Sequence, residues 1–260
     1  MIKVIVCGAR GRMGQQIVFE VRGDTTMKLI GAIESPYHPE LGKKLIEGVI
    51  VSSNLEEVVQ EEAVIIEFTT PPATLEHLKV AKRKKVPMVI GTTGFQAAEL
   101  NQIREASSSI PILLSPNMSI GINLLFKLVQ ITAKTLGKEF DKEVIEAHHR
   151  RKKDAPSGTA KRIAQILAQT EGKKLDQVGV FGRQGITGKR RKEEIGIHAV
   201  RGGSIVGDHT VLFAGEGERL EITHRAESRK IFARGAILSA KFIAQKKAGL
   251  YDLQDVLGIK

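Results

Sequence analysis

Residues 1–14 read MIKVIVCGARGRMG, a short apolar run that leads directly into a glycine-rich loop. The stretch Met13–Val21 then repeats apolar side chains at helical spacing, which predicts a strand, a loop and a helix in that order. Glycines at positions 8, 11 and 14 allow a tight turn and a close approach of the backbone to a pyrophosphate at the helix N-terminus. This opening predicts a dinucleotide-binding domain.

An acidic residue stands at the spacing that such a domain needs. Glu34 follows the second predicted strand, where a carboxylate can accept hydrogen bonds from the adenosine ribose hydroxyls. The loop departs from the usual G-x-G-x-x-G pattern, because Arg10 occupies the position of the second glycine. The alternative interpretation is an α/β domain whose glycines serve packing only.

The first 115 or so residues alternate between apolar runs and amphipathic stretches. Runs without polar alternation, separated by helices, indicate a parallel sheet covered on both faces, as in a doubly wound α/β domain. The predicted strands are Lys3–Cys7, Lys28–Ile33, Val49–Val51, Ala63–Phe68, Val86–Ile90 and Pro111–Leu114. The helical stretches are Met13–Val21, Ala73–Arg83 and Gln96–Ala106. Loops at the carboxyl ends of these strands, including Thr92–Phe95 and Ser115–Met118, are expected on the cofactor side of the sheet.

The pattern changes after Ser119, which can cap a helix that runs to Gly137. Later segments alternate apolar and polar residues, which indicates a mixed or antiparallel sheet with one exposed face. These predicted strands are Phe140–His149, Ile195–Arg201, Ser204–Ala214 and Arg219–His224. Segment Glu171–Glu194 is predicted to contain a mobile loop, and Lys230–Lys247 a helix. The fold class predicted is α/β, with an N-terminal Rossmann-type parallel-sheet domain and a central α+β domain.

Composition narrows the functional classes. The net charge of +11 fits a protein that binds nucleic acid or one that gathers small anions. Aromatic residues make up only 4%, which leaves little for base stacking, so no nucleic-acid partner is predicted. A single cysteine excludes a disulfide framework and a multi-cysteine metal site, and no metal is predicted. The first residues show no small-residue cleavage site typical of a signal peptide, and no apolar run is long enough for a membrane span, so we expect a cytoplasmic protein without a membrane partner.

The segment with the most chemically active side chains is Glu146–Ala160, which reads EAHHRRKKDAPSGTA. A predicted strand ends in His148 and His149, and a cationic loop follows before Pro-Ser-Gly-Thr opens a helix. Backbone N–H groups at Gly158 and Thr159 can bind an anion, and a histidine can deliver a proton near neutral pH. Adjacent strand residues point to opposite faces, so both histidines serve one site only if the strand ends or bulges there. The alternative is a solvated basic loop.

Taken together, these motifs resemble the dihydrodipicolinate (4-hydroxy-tetrahydrodipicolinate) reductase family over nearly the whole chain. The resemblance rests on Gly8–Gly14, on Gly91–Phe95 (GTTGF), on the signature Glu146–Ala160, on Gly207–His209 and on Gly249–Gly258. It implies that the Rossmann domain, residues 1–119, is completed by residues 229–260. Residues 120–228 would then bind substrate and build a homotetramer.

The same resemblance implies roles for individual residues. His148 would be the acid–base residue, with Lys152 as a second proton donor or charge stabiliser, and His149, Gly158 and Thr159 would hold the substrate carboxylates. The residues expected to contact the dinucleotide are Gly8, Ala9, Arg10, Gly11, Arg12, Met13, Glu34, Gly91, Thr92, Thr93, Ser115, Pro116, Asn117 and Met118.

The implied reaction is the reduction of 4-hydroxy-tetrahydrodipicolinate, a cyclic dicarboxylate, by NADH or NADPH in diaminopimelate and lysine biosynthesis. Members that use NADPH often carry arginine after the acidic residue, whereas this chain has Ser35, so NADH is expected to serve at least as well as NADPH. Two alternatives stay open: another Rossmann oxidoreductase such as an amino-acid dehydrogenase, and a dinucleotide-sensing regulator that binds nucleic acid. An aldehyde dehydrogenase is disfavoured because Cys7 lies beside the glycine loop.

Overall fold

The computed structural model describes residues 1–260, which divide into two compact units. The first unit comprises Met1–Ile120 and Arg229–Gly258, and the second comprises Gly121–Ser228 and Ile259–Lys260. Each unit contains its own sheet and its own hydrophobic core. No helix is both long enough and apolar enough to cross a membrane.

The first unit is built on an eight-stranded sheet. With elements numbered in chain order, its strands are β1 (Ile2–Cys7), β2 (Met27–Ile33), β3 (Lys44–Ile46), β4 (Val49–Ser52), β5 (Ala63–Glu67), β6 (Met88–Ile90), β7 (Pro111–Leu114) and β13 (Gly249–Tyr251). They lie in the order β13-β7-β6-β5-β1-β2-β4-β3, and every neighbouring pair is parallel except β3 with β4. The predicted Rossmann-type parallel sheet is confirmed.

Both faces of this sheet are buried, as its uninterrupted apolar strands predicted. Alternate residues of β1 enter two different cores: Val4 and Val6 join one, while Ile5 and Cys7 join the other. The helices of the unit are α1 (Arg12–Gly23), α2 (Leu55–Val58), α3 (Pro71–Lys84), α4 (Ala97–Ser107), α8 (Lys230–Ile243) and α9 (Leu253–Leu257). Helices α1 and α8 pack on the first face, and α2, α3 and α4 on the second.

The second unit carries a five-stranded mixed sheet, which confirms the second part of the predicted fold class. Its elements are α5 (Ile120–Leu136), β8 (Asp141–His148), α6 (Gly158–Thr170), α7 (Leu175–Val178), β9 (Gly179–Phe181), β10 (Ile195–Arg201), β11 (Gly207–Ala214) and β12 (Arg219–Ala226). The order is β12-β11-β8-β10-β9, antiparallel between β12, β11 and β8 and parallel between β8, β10 and β9. Helices α5 and α6 share a core with Val144, Val211 and Phe213, so they cover one face of the sheet.

Three details differ from the expectations. Strands β3 and β13 were not predicted, because a three-residue strand carries no periodicity and depends on its partner strand for hydrogen bonds. Helix α8 ends at Ile243 instead of Lys247, since the chain turns there before it enters β13. Segment Glu171–Glu194, predicted to contain a mobile loop, also contains α7 and β9, which were not predicted.

Candidate active site

The glycine loop of the first unit lies between β1 and α1. Gly8 has φ = 76°, and a Cβ there would come within 2.5 Å of the carbonyl oxygen of Phe68. A Cβ at Gly14 would come within 1.9 Å of the Gly8 carbonyl oxygen, so helix and loop touch through their backbones. Both positions therefore require glycine for packing, and the packing brings the loop close to the start of the helix.

Helix α1 begins at Arg12 without a side-chain cap. Its N-cap residue is Gly11, and the first turn contains no acidic side chain. The N–H groups of a first helical turn lack acceptors within the helix and carry a partial positive charge. An anionic group such as a pyrophosphate fits this end of α1, because the chain supplies no side-chain acceptor there.

Glu34 lies directly after β2 and faces the loop. Its Oε1 accepts a hydrogen bond of 2.6 Å from the backbone N–H of Arg10, and its Oε2 accepts a weaker one of 3.4 Å from that of Ser35. The Arg10 side chain forms an ion pair with Glu40. A cavity of about 450 Å³ opens here, lined by Gly8, Gly11, Ile33, Glu34, Ser35, Pro36, Ser53, Phe68, Thr69, Thr70, Ala73 and His77.

The other predicted cofactor residues take different positions. Ala9 and Met118 have side chains in the hydrophobic core, so any contact that they make with a nucleotide is through the backbone. Thr92 is buried, and its hydroxyl accepts hydrogen bonds from the Thr69 N–H at 3.2 Å and the Thr74 hydroxyl at 2.9 Å. Thr92 therefore ties two strand-end loops together, a role that the sequence did not reveal.

In the second unit, Glu146 and His148 sit two residues apart on β8 and share its buried face. Nδ1 of His148 lies 2.6 Å from Oε2 of Glu146. Arg201, on the neighbouring strand β10, binds both oxygens of the same carboxylate at 2.8 Å each. The backbone N–H of Ser157 donates a fourth hydrogen bond of 2.9 Å to Oε1. One buried carboxylate thus connects two strands with the start of α6.

These contacts determine which nitrogen of the His148 ring carries a proton. Burial would raise the pKa of Glu146, but the hydrogen bonds from Arg201, His148 and Ser157 outweigh burial and lower it. Because an ionised carboxylate only accepts hydrogen bonds, Nδ1 of His148 must carry a proton and Nε2 is the exchangeable position. A Cβ at Gly207 would lie 3.0 Å from Nε2, so a glycine at this position keeps space around that nitrogen.

The histidines in this region have lowered pKa values. Burial lowers the pKa of His148, and the Glu146 carboxylate opposes that shift by stabilising the charged ring. Burial, together with the nearby charge of His148, lowers the pKa of His209 to about 3. The two rings are in edge-to-face contact with centroids 5.2 Å apart, and Nε2 of His209 lies 3.1 Å from the Ser157 hydroxyl. His209 is therefore neutral at ordinary pH.

The predicted anion site lies at the start of α6. Ser157 caps this helix through a hydrogen bond from the Ala160 N–H, and outside the helix's own backbone and the adjacent residues no atom lies within 4 Å of where a Gly158 Cβ would stand. Strand β8 ends at His148, so His149 is free of the alternation that would turn it to the opposite face, and its buried Nδ1 has no hydrogen-bond partner in the chain. Lys152 forms an ion pair of 2.9 Å with Asp154.

Sequence reasoning assigned no role to Glu146, Ser157, Arg201 or His209, which surround His148. The i, i+2 spacing of Glu146 and His148 could have placed these two residues on one strand face. Arg201 and His209 lie more than 50 residues further along the chain and carried no such signal. They reach the site only through the pairing of β10 and β11 with β8.

Comparison with known proteins gives a consistent result. Residues 2–118 match the family model described as dihydrodipicolinate reductase, N-terminus, and residues 121–257 match dihydrodipicolinate reductase, C-terminus. A 4-hydroxy-tetrahydrodipicolinate reductase from Syntrophus aciditrophicus is 47% identical over the full length of both chains. One from Trichlorobacter lovleyi is 49% identical, again over both full lengths.

Among solved structures, the dipicolinate-bound dihydrodipicolinate reductase from Paenisporosarcina sp. TG-14 is similar with a TM-score of 0.81. It is 29% identical, and the match covers 98% of this chain and 99% of that one. An amine dehydrogenase from Mycobacterium smegmatis has a TM-score of 0.60 at 13% identity, over 97% of this chain and 95% of the other, which shows a shared fold only.

Proposed function

This chain belongs to the dihydrodipicolinate reductase family, and on that premise we propose which of its residues carry out the reaction, a reduction of 4-hydroxy-tetrahydrodipicolinate by a reduced pyridine nucleotide. The resemblance seen in the sequence is thereby confirmed at the level of the family and of an oxidoreductase activity in lysine and diaminopimelate biosynthesis. The roles of single residues, the choice between NADH and NADPH, and the assembly are proposals.

One observation carries the assignment of the substrate site. The Glu146 carboxylate binds His148 Nδ1 and, through its other oxygen, the N–H of Ser157, the N-cap of α6. The Glu146 side chain therefore holds both a group that can deliver a proton and a helix N-terminus that can bind an anion. The dicarboxylate substrate needs both, since one end must be bound while a ring carbon accepts a proton.

We assign proton delivery to Nε2 of His148. A neutral imidazole is the ground state of a buried histidine with a lowered pKa, and the arrival of a dianion beside it favours the protonated ring. Lys152 adds a positive charge on the loop after His149, where it stabilises negative charge that develops on the substrate. Its ion pair with the largely exposed Asp154 is weak enough to exchange for a substrate carboxylate.

His149, Gly158 and Thr159 are proposed to bind the substrate carboxylates. The N-terminus of α6 offers backbone N–H groups and the positive end of the helix dipole. The buried Nδ1 of His149, which no group of the chain satisfies, suits a ligand that can accept or donate a hydrogen bond there. The solved relative from Paenisporosarcina was captured with dipicolinate, a planar dicarboxylate, which supports a dicarboxylate for this chain.

The cleft beside the glycine loop is proposed to hold the dinucleotide. The uncapped start of α1 fits the pyrophosphate, and Glu34 fits the ribose hydroxyls. Gly8, Gly11 and Glu34 line the cavity of about 450 Å³ directly. When bound, the reduced nicotinamide supplies the hydride.

We propose dual use of the nucleotides with a preference for NADH. The 2′-phosphate of NADPH would bring about two negative charges next to Glu34, and Ser35 offers a hydroxyl but no positive charge. Arg10 contacts Glu34 through its backbone N–H, but its side chain is paired with Glu40. Because that pair is partly exposed it is worth little, and Arg10 can partly offset the repulsion by releasing Glu40.

A homotetramer is proposed to form through the open face of the five-stranded sheet. Val144 and Val211 point into the core, so the alternate residues Ile145 and Thr210 point away from it, and β10 adds the exposed Val200 on that outer face. A second copy would cover the apolar side chains of Ile145 and Val200. Light scattering on a Val200→Asp variant tests this: we expect a smaller assembly, and an unchanged mass would reject the surface.

A coupled assay tests the proposed reaction. The substrate is generated in situ from pyruvate and aspartate semialdehyde with the corresponding synthase, and the loss of absorbance of NADH and of NADPH is followed separately. His148→Gln should lower kcat by roughly 10² to 10⁴ while NADH affinity stays near that of the wild type, since a proton donor acts in the transition state. Wild-type turnover in this variant would remove His148 from the reaction.

A further inference from the structure

A second group of chemically active side chains lies in the first unit, beneath the glycine loop. Cys7 is the last residue of β1 and Glu67 the last residue of β5, and the register of these parallel strands pairs them directly. His77 reaches the pair from α3, with Nδ1 2.7 Å from Oε2 of Glu67. One ligand atom from each residue lies within 4.8 Å of those of the other two.

The charge balance of this group is unusual for a buried site. Glu67 and Cys7 are completely buried, and no lysine or arginine forms an ion pair with Glu67. The partners of the carboxylate are the hydroxyl of Thr69, the ring of His77 and the thiol of Cys7. An ionised carboxylate buried without a lysine or arginine partner is costly, and a bound metal cation would supply the missing positive charge.

We propose that Cys7, Glu67 and His77 bind a divalent cation of the zinc class. Thiolate sulfur, imidazole nitrogen and carboxylate oxygen are the ligand types that zinc and cobalt prefer, and three protein ligands leave a fourth position for water. With bonds of about 2.0–2.3 Å to a tetrahedral ion, ligand atoms lie about 3.3–3.6 Å apart. The ligand atoms of this cluster all lie within 4.8 Å of one another, and the His77–Glu67 separation is 2.7 Å, so modest side-chain rotation brings them to that spacing.

Binding is a ligand exchange that needs no oxidant or reductant. The S–H bond of Cys7 breaks and its proton leaves to solvent, while a bond forms between sulfur and the ion. The ion replaces the hydrogen bond between His77 and Glu67: the Nδ1 proton of His77 leaves while Nε2 takes up a proton from solvent, so the ring stays neutral and Nδ1 is free to bind the ion. A divalent ion with one thiolate, one carboxylate and a neutral imidazole carries no net charge, which is the favourable state for a buried centre. His77 lines the 450 Å³ cavity, which provides the route from solvent.

Titration of the full-length chain with Co²⁺ tests the proposal without nucleotide or substrate, so its outcome is independent of the proposed reaction. Cys7 is the only cysteine, and a thiolate-to-cobalt charge-transfer band can therefore arise only from this residue. We expect the band to saturate at one equivalent of Co²⁺ and to disappear when Zn²⁺ is added. Zn²⁺ should also raise the Tm, because it binds the folded state.

Single substitutions test which side chains bind the Co²⁺ ion. Cys7→Ser should abolish the charge-transfer band, and His77→Gln, which changes a partly exposed side chain, should weaken Co²⁺ binding at least tenfold. His38→Gln is the matched control: His38 lies in the same unit, outside the cluster, and its replacement should leave the titration unchanged. Absence of the band in the wild-type protein, or affinity that survives His77→Gln, would overturn the proposal and leave Cys7, Glu67 and His77 as a hydrogen-bonded network only.

Discussion

Replacing Glu146 with glutamine keeps the size of the side chain but removes the charge that holds His148. The carboxylate accepts four hydrogen bonds, one from His148, one from Ser157 and two from Arg201. Glutamine has one oxygen, and its NH₂ group would face donors on the other side. The variant must therefore lose either the contact with His148 and Arg201 or the contact with Ser157 and Arg201.

The expected decrease of kcat in Glu146→Gln follows from the lost hydrogen bond to His148. A hydrogen bond to a charged group is worth about 1.5–3 kcal/mol, which corresponds to roughly 10- to 150-fold in rate if the bond positions the proton donor in the transition state. We expect kcat of Glu146→Gln to fall by that factor, with a smaller change in the KM for NADH. Loss of the carboxylate also lowers the pKa of His148, so the decline of kcat at high pH should move to lower pH.

Glu143→Gln is the control. Glu143 lies on the same strand as Glu146, with its side chain on the opposite face. Like Glu146, it binds arginine and histidine side chains, in its case those of Arg183, Arg190 and His198. Its replacement disturbs a similar charge cluster but leaves His148 untouched, so kcat should stay near wild type. A Glu146→Gln variant with kcat within about twofold of wild type and an unshifted pH profile would refute the positioning role.

Three further outcomes are expected. Thr159→Val should raise the inhibition constant of pyridine-2,6-dicarboxylate about tenfold or more, and unchanged inhibition would exclude Thr159 as a ligand. Ser35→Arg should raise the ratio of kcat/KM for NADPH over NADH about tenfold, and an unchanged ratio would show that another cation decides the preference. Burial lowers the pKa of His209 from 6.5 to about 3, so as the pH falls the unfolded state binds a proton before the folded state does. The free energy of unfolding should thus fall by up to about 1.4 kcal/mol per pH unit as the pH drops from about 6.5 to about 3. Urea denaturation of His209→Asn should show a shallower fall over the same pH range.

Much of the first unit was predictable from local sequence. Strands β1 and β5 are apolar except for Lys3 near the start of β1 and the buried Glu67 at the end of β5, and Gly8 and Gly14 stand where no side chain fits. Such signals are local because a strand buried on both faces must be apolar throughout, whatever its neighbours are. The same holds for α6, whose N-cap Ser157 is recognisable from its residue type.

The tertiary structure decided which distant side chains act together. His148 was recognisable in its motif, but the carboxylate that orients it is shared with Arg201, and that contact exists only because β10 pairs with β8. Likewise Cys7, Glu67 and His77 are separated by up to 70 residues and meet only where two strands end beneath one helix. Periodicity reports which face of an element is buried, whereas strand order and register determine what that face meets, and these depend on the packing of the whole domain.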